Sequence, residues 1–239
     1  MAIYLCHEQP DLLDFETEIV GRRSGAVLLA RSALHPGGGG QVSDRATLEH
    51  RGGVVEIVGV ETEGGHHWHL LGTDVDIEGP VRVRIDAAFR SRVAQLHTDT
   101  HILNALVFQR FAGALVTGAQ IYGDGTARMD FDLPGADNDR LRGLEAEVNA
   151  MIRKGLEVRA VYVPVKEAET TPGLIRSLSV APPPTPDGRL RVVEIVGLDR
   201  QACGGTHLAN TAQSALIRIT KVDNKGKRNR RVKIALVGG

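Results

Sequence analysis

Two pairs of metal-ligand side chains stand out in the sequence, and each pair has a spacing that brings its members together. His97 and His101 are four residues apart in a segment with helical periodicity, so both imidazoles project from one face on adjacent turns. Cys203 and His207 flank two glycines, which let the backbone fold tightly enough for thiolate and imidazole to converge. A thiolate with three imidazoles is a common zinc set, so the sequence predicts one tetrahedral zinc site.

Each pair alone has a simpler interpretation. Two polar histidines on a helix would explain the first pair, and a buried inert cysteine beside a turn histidine would explain the second. A metalloprotease is disfavoured, because that chemistry places a glutamate directly after the first helical histidine and this chain has Thr98 there. Zinc is favoured because each pair supplies half of one four-ligand site.

The elements that must position these residues change character near residue 85. Residues 1–85 show short strand patterns between glycines and no convincing helix, which predicts a small β-barrel-like domain, with a β-sandwich as the alternative. Asp86 is placed to cap a helix that runs to about Arg110, and a second helix is predicted over 136–154. Further strands are predicted over 128–133, 158–165, 191–196, 215–220 and 231–237. Because strands and helices mix without a βαβ rhythm, the fold class is α+β, with an α/β two-layer domain over 86–239.

The composition is that of a globular protein. Hydrophobic residues make up 42% and charged residues 24% of the 239 residues, which excludes a disordered chain. With five Phe, three Tyr and one Trp, a surface built mainly on base stacking is not expected. Two cysteines cannot form a disulfide framework, and no signal peptide or long apolar run is present. We therefore expect a cytoplasmic protein with no membrane partner.

Basic residues are concentrated near the end of a chain in which 29 basic residues balance 29 acidic ones. Between Arg218 and Lys233, eight basic residues accompany one acid, Asp223. Residues that alternate in character on both sides of a Lys-Gly turn predict a hairpin. It is expected to display the basic residues Lys225, Lys227, Arg228, Arg230 and Arg231. A charge run is often only a solvated face, but this one is basic on a neutral protein, which favours contact with phosphates.

Four consecutive glycines occupy positions 37–40. No Gly-Lys-Ser/Thr follows them, so they do not form a P-loop, and no nucleotide cofactor is expected. A flexible loop or an anion-binding nest are the interpretations that the residues alone leave open.

These motifs resemble a known family. HTDTH, QACGGTH and the tail NKGKRNRRVKI resemble the editing domain of alanyl-tRNA synthetase and its free-standing relatives, the AlaX proteins. HPGGGGQVSD resembles the glycine-rich motif that the longer AlaX proteins share with the synthetase. The resemblance runs from about His35 to the C-terminus. No aminoacylation domain fits before residue 85, so the chain resembles a stand-alone editing protein.

The resemblance implies a zinc-dependent hydrolase that deacylates mischarged Ser-tRNA(Ala), with Gly-tRNA(Ala) as a further candidate, and spares Ala-tRNA(Ala). It implies catalytic zinc ligands at His97, His101, Cys203 and His207. Thr117, counted back from the RMDF segment, resembles the residue that contacts the serine hydroxyl, although a turn threonine is the alternative. Substrate contacts are implied for Gly38, Gly39, Gly40 and Gln41. The basic hairpin is implied to adjoin the pocket and bind the tRNA(Ala) acceptor end.

Two other functions stay open: a non-catalytic RNA-binding module with a structural zinc, and a zinc hydrolase of small esters or amides. The chain also departs from the family pattern at Asp99, where a small residue is usual. Asp99 is expected to be either a partner of a zinc ligand or an acid on the helix face.

Overall fold

The structure is a computed structural model and describes residues 5–176 and 182–238. It divides into two compact units. The first comprises residues up to Gly38 together with Val42–Ser91, and the second comprises Gly39–Gln41 together with the chain from Arg92 onward. Three residues of the glycine-rich segment thus belong to the second unit. The domain division at residue 85 stays a prediction. Within the described residues, no helix combines the length and apolar character needed to span a membrane.

The first unit contains a closed six-stranded antiparallel barrel, as the sequence predicted. Its strands are β1 (Asp14–Arg23), β2 (Ala26–Leu29), β3 (Ala46–His50), β4 (Gly53–Glu63), β5 (His66–Leu71) and β6 (Gly79–Ile85), in the order β1-β2-β5-β4-β3-β6. Pairing of β1 with β6 closes the ring. Along β6, Val81, Val83 and Ile85 are buried, while Arg82 and Arg84 pair with Asp14. A short helix that was not predicted, α1 (Leu5–Glu8), precedes the barrel.

Both predicted long helices are confirmed. Helix α2 (Ala87–Arg110) begins after Asp86, whose carboxylate accepts a backbone hydrogen bond from the first turn at 2.9 Å. Helix α3 (Asn138–Lys154) lies between two caps. Asp137 accepts a hydrogen bond at the N-terminus, and Gly155 ends the helix at φ +67°, a left-handed conformation that glycine adopts without strain.

The rest of the second unit contains two further sheets and a short helix. Its elements are β7 (Val116–Ile121), β8 (Thr126–Asp132), β9 (Val158–Pro164), α4 (Val165–Thr170), β10 (Arg189–Ile195), β11 (Asp199–Ala202), β12 (Ile217–Lys225) and β13 (Asn229–Leu236). The five strands predicted in this region are confirmed with shifted ends, whereas β7 and β11 were missed. One sheet has the order β12-β13-β8-β7 and the other β11-β10-β9. The mixed fold is confirmed, and its two-layer arrangement stays a prediction.

Helix α3 packs against edge strand β12 and completes its hydrogen bonds. The side chain of Asn149 both donates to and accepts from the backbone of Ile217, at 2.9 Å each. Glu145 accepts from the backbone N–H of Ile219 at 2.7 Å. The helix therefore satisfies backbone groups on the edge that a further strand would otherwise pair with.

Candidate metal and catalytic site

The structure brings the four predicted ligands together. The ligand atoms of His97, His101, Cys203 and His207 all lie within 4.8 Å of one another. Sγ of Cys203 is 3.4 Å from Nε2 of His97 and 3.3 Å from Nε2 of His207. Standard bond lengths around a tetrahedral zinc ion separate a sulfur ligand from a nitrogen ligand by about 3.5 Å. The donor set and its spacing therefore fit a tetrahedral metal ion such as zinc.

The loop that carries Cys203 is shaped by backbone contacts and by a glycine. Nη1 of Arg191 donates to the carbonyl oxygens of Cys203 and Gly205, at 2.8 and 3.0 Å. A Cβ on Gly205 would collide with the ring of His97 and would lie 2.6 Å from Oε1 of Gln41. The second glycine of the CGGTH motif is therefore required by the close approach of a metal-ligand imidazole.

Gln41 orients the ring of His97. Its Oε1 lies 2.7 Å from Nδ1 of His97, and the same oxygen accepts the backbone N–H of Thr206 at 2.9 Å. Because a backbone N–H can only donate, this second bond fixes which amide atom faces the ring. Nδ1 of His97 must then carry the proton and donate it to Gln41, which leaves Nε2 as the ligand atom.

Thr98 orients the ring of His207 in the same way. Its hydroxyl donates to the carbonyl of Ala94 at 2.9 Å and accepts the backbone N–H of Leu208 at 3.2 Å. Nδ1 of His207 lies 3.2 Å from the same oxygen. The hydroxyl has only one proton, so His207 must donate from Nδ1, and its Nε2 is left for the metal. Thr98, which stands where a metalloprotease would have its glutamate, therefore positions the ring of His207.

Asp199 is the corresponding partner of His101. Its Oδ2 lies 3.5 Å from Nδ1 of His101, and its carboxylate is fully buried. Nη1 of Arg176 lies 2.8 Å from Oδ1, and the amide of Gln201 donates to Oδ2. Asn104 donates to Gln201 at 2.6 Å. A buried polar network therefore holds the carboxylate beside His101. The Nδ1 atoms of His97 and His207 have hydrogen-bond partners, whereas Nδ1 of His101 faces the Asp199 carboxylate at 3.5 Å without forming a hydrogen bond among the described residues.

Burial and mutual proximity set the charge states of the cluster. Burial alone would raise the pKa of the Cys203 thiol, but the three imidazoles, His97 foremost, hold that pKa well below its ordinary value. Burial and neighbouring His97 hold the pKa of His207 well below 6.5. Burial also opposes protonation of His101, but Cys203 and Asp199 outweigh it and raise its pKa to about 9. A thiolate among imidazoles suits a bound cation.

Thr117 belongs to the same unit as Gly39, Gly40 and Gln41, whereas Gly38 belongs to the first unit. Oγ1 of Thr117 is buried at a bulge in β7 and has no hydrogen-bond partner among the described residues. Gly40 has φ +88°, and a Cβ there would lie 2.7 Å from the carbonyl oxygen of Ala119. Gly38 and Gly39 also have positive φ, and a Cβ on either would meet open space. Their catalytic and substrate-binding roles stay predictions.

Asp99 is not an exposed acid of the helix face, so that expectation is wrong. The residue is buried, and its Oδ2 accepts a hydrogen bond from the hydroxyl of Ser214 at 2.8 Å. Burial raises the pKa of Asp99 to about 8. Among the described residues, no hydrogen bond joins its carboxyl group to a metal-ligand imidazole.

The basic hairpin forms from β12 and β13, but it does not display all five cations. Lys225, Lys227 and Arg228 are exposed, and Arg231 is half-buried beside Asp130. Arg230 is buried, and its Nε donates to the carbonyl of Ala136 at 3.3 Å. The predicted display of Arg230 is wrong, because successive side chains of a strand point to opposite faces.

The chain is similar to proteins of known families. The Threonyl and Alanyl tRNA synthetase second additional domain matches residues 190–233. The chain is 35% identical over 225 residues to the alanyl-tRNA editing protein AlaX-M of Saccharolobus solfataricus, with 92% of each chain covered. It is 38% identical over 222 residues to AlaX-M of Methanosarcina acetivorans, covering 88% of this chain and 89% of that one. It is also 36% identical over 220 residues to the alanine–tRNA ligase of Korarchaeum cryptofilum, which is 90% of this chain but only 24% of that enzyme.

Proposed function

Because the chain belongs to the AlaX-M family of alanyl-tRNA editing proteins, we propose that it is an aminoacyl-tRNA deacylase that hydrolyses Ser-tRNA(Ala) and spares Ala-tRNA(Ala). The observation that carries the proposal is the cluster of one cysteine and three imidazoles whose ligand atoms all lie within 4.8 Å of one another. Gly-tRNA(Ala) is a second candidate substrate, and the cytoplasm is the proposed compartment. The ester is already activated, so hydrolysis needs no nucleotide cofactor.

His97, His101, Cys203 and His207 would hold a zinc ion, which when bound supplies Lewis-acid polarisation and substrate orientation. The chain itself contributes the geometry of the site. Gln41 and Thr98 keep protons on the outer nitrogens of His97 and His207, so that both Nε2 atoms stay available. Gly205 leaves the space that the His97 ring occupies.

We assign the discrimination between seryl and alanyl esters to Thr117. A buried polar group normally has a hydrogen-bond partner, and Oγ1 of Thr117 has none among the described residues. A seryl hydroxyl would supply that partner, whereas an alanyl methyl group cannot. A site built to bond a hydroxyl can reject the analogue that lacks it by up to about 10⁴-fold.

Gly38, Gly39, Gly40 and Gln41 are the proposed wall of the aminoacyl pocket. Ile121 donates to the carbonyl of Gly40 at 2.7 Å, which ties the segment to strand β7. The absence of side chains lets the backbone approach a ligand closely. Gln41 has a structural duty as well, since its amide bonds His97 and Thr206.

The exposed cations of the hairpin, Lys225, Lys227 and Arg228, are proposed to contact the acceptor end of tRNA(Ala), together with Arg231. Such contacts would position the RNA without reading its sequence. Arg230 is removed from this set as a direct contact, because it is buried against the carbonyl of Ala136.

One observation favours a second candidate function, an RNA-binding module with a structural zinc. All four ligands come from the protein, and a tetrahedral site with four protein ligands is typical of structural zinc. Metal removal separates the two candidates. A structural site should lose its fold with the metal, whereas an editing site should lose activity and keep most of the fold.

The deciding experiment is deacylation of Ser-, Gly- and Ala-tRNA(Ala) by the wild type, Cys203→Ala and Thr117→Val. We expect rapid loss of the seryl ester, survival of the alanyl ester and no activity in Cys203→Ala, with circular dichroism reporting the fold. Thr117→Val keeps the shape of threonine and should lose the preference for the seryl ester. Equal cleavage of all three esters by the wild type would refute the role of Thr117. No cleavage by a wild type that binds tRNA would favour the structural-zinc module.

A further inference from the structure

One face of the sheet β12-β13-β8-β7 carries charges in cross-strand register. Alternation along β8 buries Ala127, Met129 and Phe131 on one side and leaves Arg128 and Asp130 on the other. In β13 the residues opposite them are Lys233 and Arg231, and in β12 the next are Lys221 and Asp223. This face therefore has two adjacent rows of charged residues, of which Arg128 and Asp130 are largely buried and Lys221 and Lys233 are exposed.

The two rows differ in sign pattern. Asp130, Arg231 and Asp223 alternate in sign across the strands, and Arg231 forms two hydrogen bonds with Asp130 at 2.6 and 2.7 Å. The other row, which we name the cationic row, consists of Arg128, Lys233 and Lys221, three cations side by side on three neighbouring strands. Like charges directly opposite each other destabilise a sheet.

The neighbouring acids only partly offset the cationic row. Arg128 contacts Asp130, which is shared with Arg231, and Lys221 contacts Asp223, both at 2.9 Å. Lys233, in the middle, is exposed, and no salt bridge joins it to a carboxylate among the residues that the structure describes. Strands lie about 4.8 Å apart, so the row spans roughly 10 Å of the surface. A bound polyanion would relieve the repulsion between these cations.

The row leads to strand β7, which is bridged to Gln41 of the candidate metal site. Gln120 of β7 lies opposite Arg128, at the end of the row. The next residue, Ile121, forms a parallel bridge with Gln41, whose side chain bonds the ring of His97. A polyanion on the row would therefore extend towards β7, the strand that also carries Thr117.

We propose that the cationic row of Arg128, Lys233 and Lys221 binds the phosphate backbone of the tRNA whose ester the metal site hydrolyses. The identity of this RNA rests on the proposed function, while the binding of phosphates rests on the row itself. The row differs from the hairpin cations, because it lies across the middle of the sheet rather than at the turn. Phosphate contacts of this kind position the RNA without reading its bases.

The test is binding of uncharged tRNA(Ala) over a range of salt concentrations. We compare Lys221→Gln/Lys233→Gln with the matched pair Lys154→Gln/Lys166→Gln, which removes the same charge from α3 and α4. Each phosphate contact contributes a slope of about 0.9 to log affinity against log salt. The row pair should therefore show a slope less steep by about 2 and roughly 50-fold weaker binding at 0.1 M salt. The matched pair should behave as the wild type.

The variants Lys221→Arg/Lys233→Arg and Arg128→Lys keep the positive charges, so they should bind tRNA with the wild-type affinity and salt slope. If these side chains served only the fold, binding would not follow their charge. In deacylation assays the row pair should need a roughly 50-fold higher tRNA concentration for half-maximal rate, whereas the matched pair should need the same concentration as the wild type. The inference is overturned if the row pair binds with the wild-type slope, if the matched pair loses as much, or if the wild type binds no tRNA. Wild-type protein that binds through the row but cleaves no ester would refute the deacylase and leave the inference standing.

Discussion

Strand β6 and the middle of helix α2 both bury side chains, but those of β6 are apolar and most of those over 97–104 in α2 are polar. β6 turns Val81, Val83 and Ile85 inwards. Between residues 97 and 104, α2 buries His97, Thr98, Asp99, Thr100, His101 and Asn104. Burying polar groups costs free energy unless they find partners, and apolar burial needs none. The barrel strand therefore serves stability, and the polar turns of α2 serve the site.

The comparison predicts that substitutions in the two regions have separable effects. Changes in the barrel should lower the free energy of unfolding and leave metal affinity alone. Changes around the polar turns should lower metal affinity more than they lower stability. The following experiments test whether stability and metal affinity respond separately.

Gly205→Ala should have the largest effect on the site. The new Cβ collides with the ring of His97, so we expect zinc affinity to fall by roughly 100-fold or more, as measured by competition with a chromophoric chelator. Gly204→Ala is the matched control, because the nearest atom to a Cβ there is Cβ of Pro182 at 3.4 Å. Equal zinc affinity in the two variants would contradict the geometry of the loop.

Leu48→Ala should have the largest effect on the barrel. Leu48 is fully buried in the barrel core, so its truncation should lower the free energy of unfolding by about 3 kcal/mol. Urea unfolding followed by the fluorescence of Trp68 in β5 measures this loss. A parallel fall in zinc affinity would break the proposed separation of the two regions.

The barrel also contains a buried histidine, His69, which should make its stability depend on pH. His69 donates from Nδ1 to the carbonyl of Val27 at 3.3 Å, and its Nε2 lies 2.8 Å from the Ser32 hydroxyl. Burial lowers its pKa from 6.5 to about 4, although the bond to Val27 opposes the shift. Between pH 6.5 and 4 the unfolded chain binds the proton and the folded chain does not.

The contribution of neutral His69 to the free energy of unfolding is therefore fully present above pH 6.5. It is lost as the pH falls towards 4, by about 3 kcal/mol in all. Unfolding curves of the wild type and His69→Gln at several pH values measure the difference between them. We expect the variant to lose less stability on acidification. Identical pH profiles would show that the ring titrates normally in the folded barrel.

Asp199→Asn should have a smaller effect than Gly205→Ala on the same site. Asparagine keeps the size of the side chain but removes the charge beside Nδ1 of His101. Loss of such a partner typically weakens metal binding by about 10–100-fold. Affinity and the absorption spectrum of the Co²⁺-substituted protein report the change, with the exposed Asp187→Asn as control. An unchanged spectrum would mean that Asp199 serves only the network with Arg176.

The parts of the fold that follow local periodicity could be predicted from the sequence. Buried and exposed residues alternate along the barrel strands. Helices α2 and α3 each have a capping residue directly before their apolar residues at helical spacing. Strand β7 was missed because VTGAQI is rich in small and polar residues and contains a bulge at Thr117. Arg230 was misplaced because a cluster of cations does not reveal which of them shares a face with buried residues.

The proximity of the four candidate ligands could be predicted because each pair is local, but the residues that position their rings could not. Gln41 lies 56 positions before His97, and its bond to that ring depends on the folded chain. Thr98 was noticed only as the residue that replaces a glutamate, although its place inside HTDTH was a usable signal. Asp199 lies close to His101 because β11 begins beside that residue of α2, which spacing along the chain does not show.

Gln41 also limits which fragments of this chain can form the complete candidate metal site. A fragment that begins at Asp86 would retain His97, His101, Cys203 and His207, yet it would lack the acceptor for the outer nitrogen of His97. Gly39–Gln41 is grouped with the metal site although it lies within the sequence of the barrel. The geometry of the candidate metal site therefore depends on a residue that precedes Asp86 in the sequence. A shortened or recombined protein would keep the orientation of the His97 ring only if another side chain accepted the hydrogen bond that Gln41 accepts.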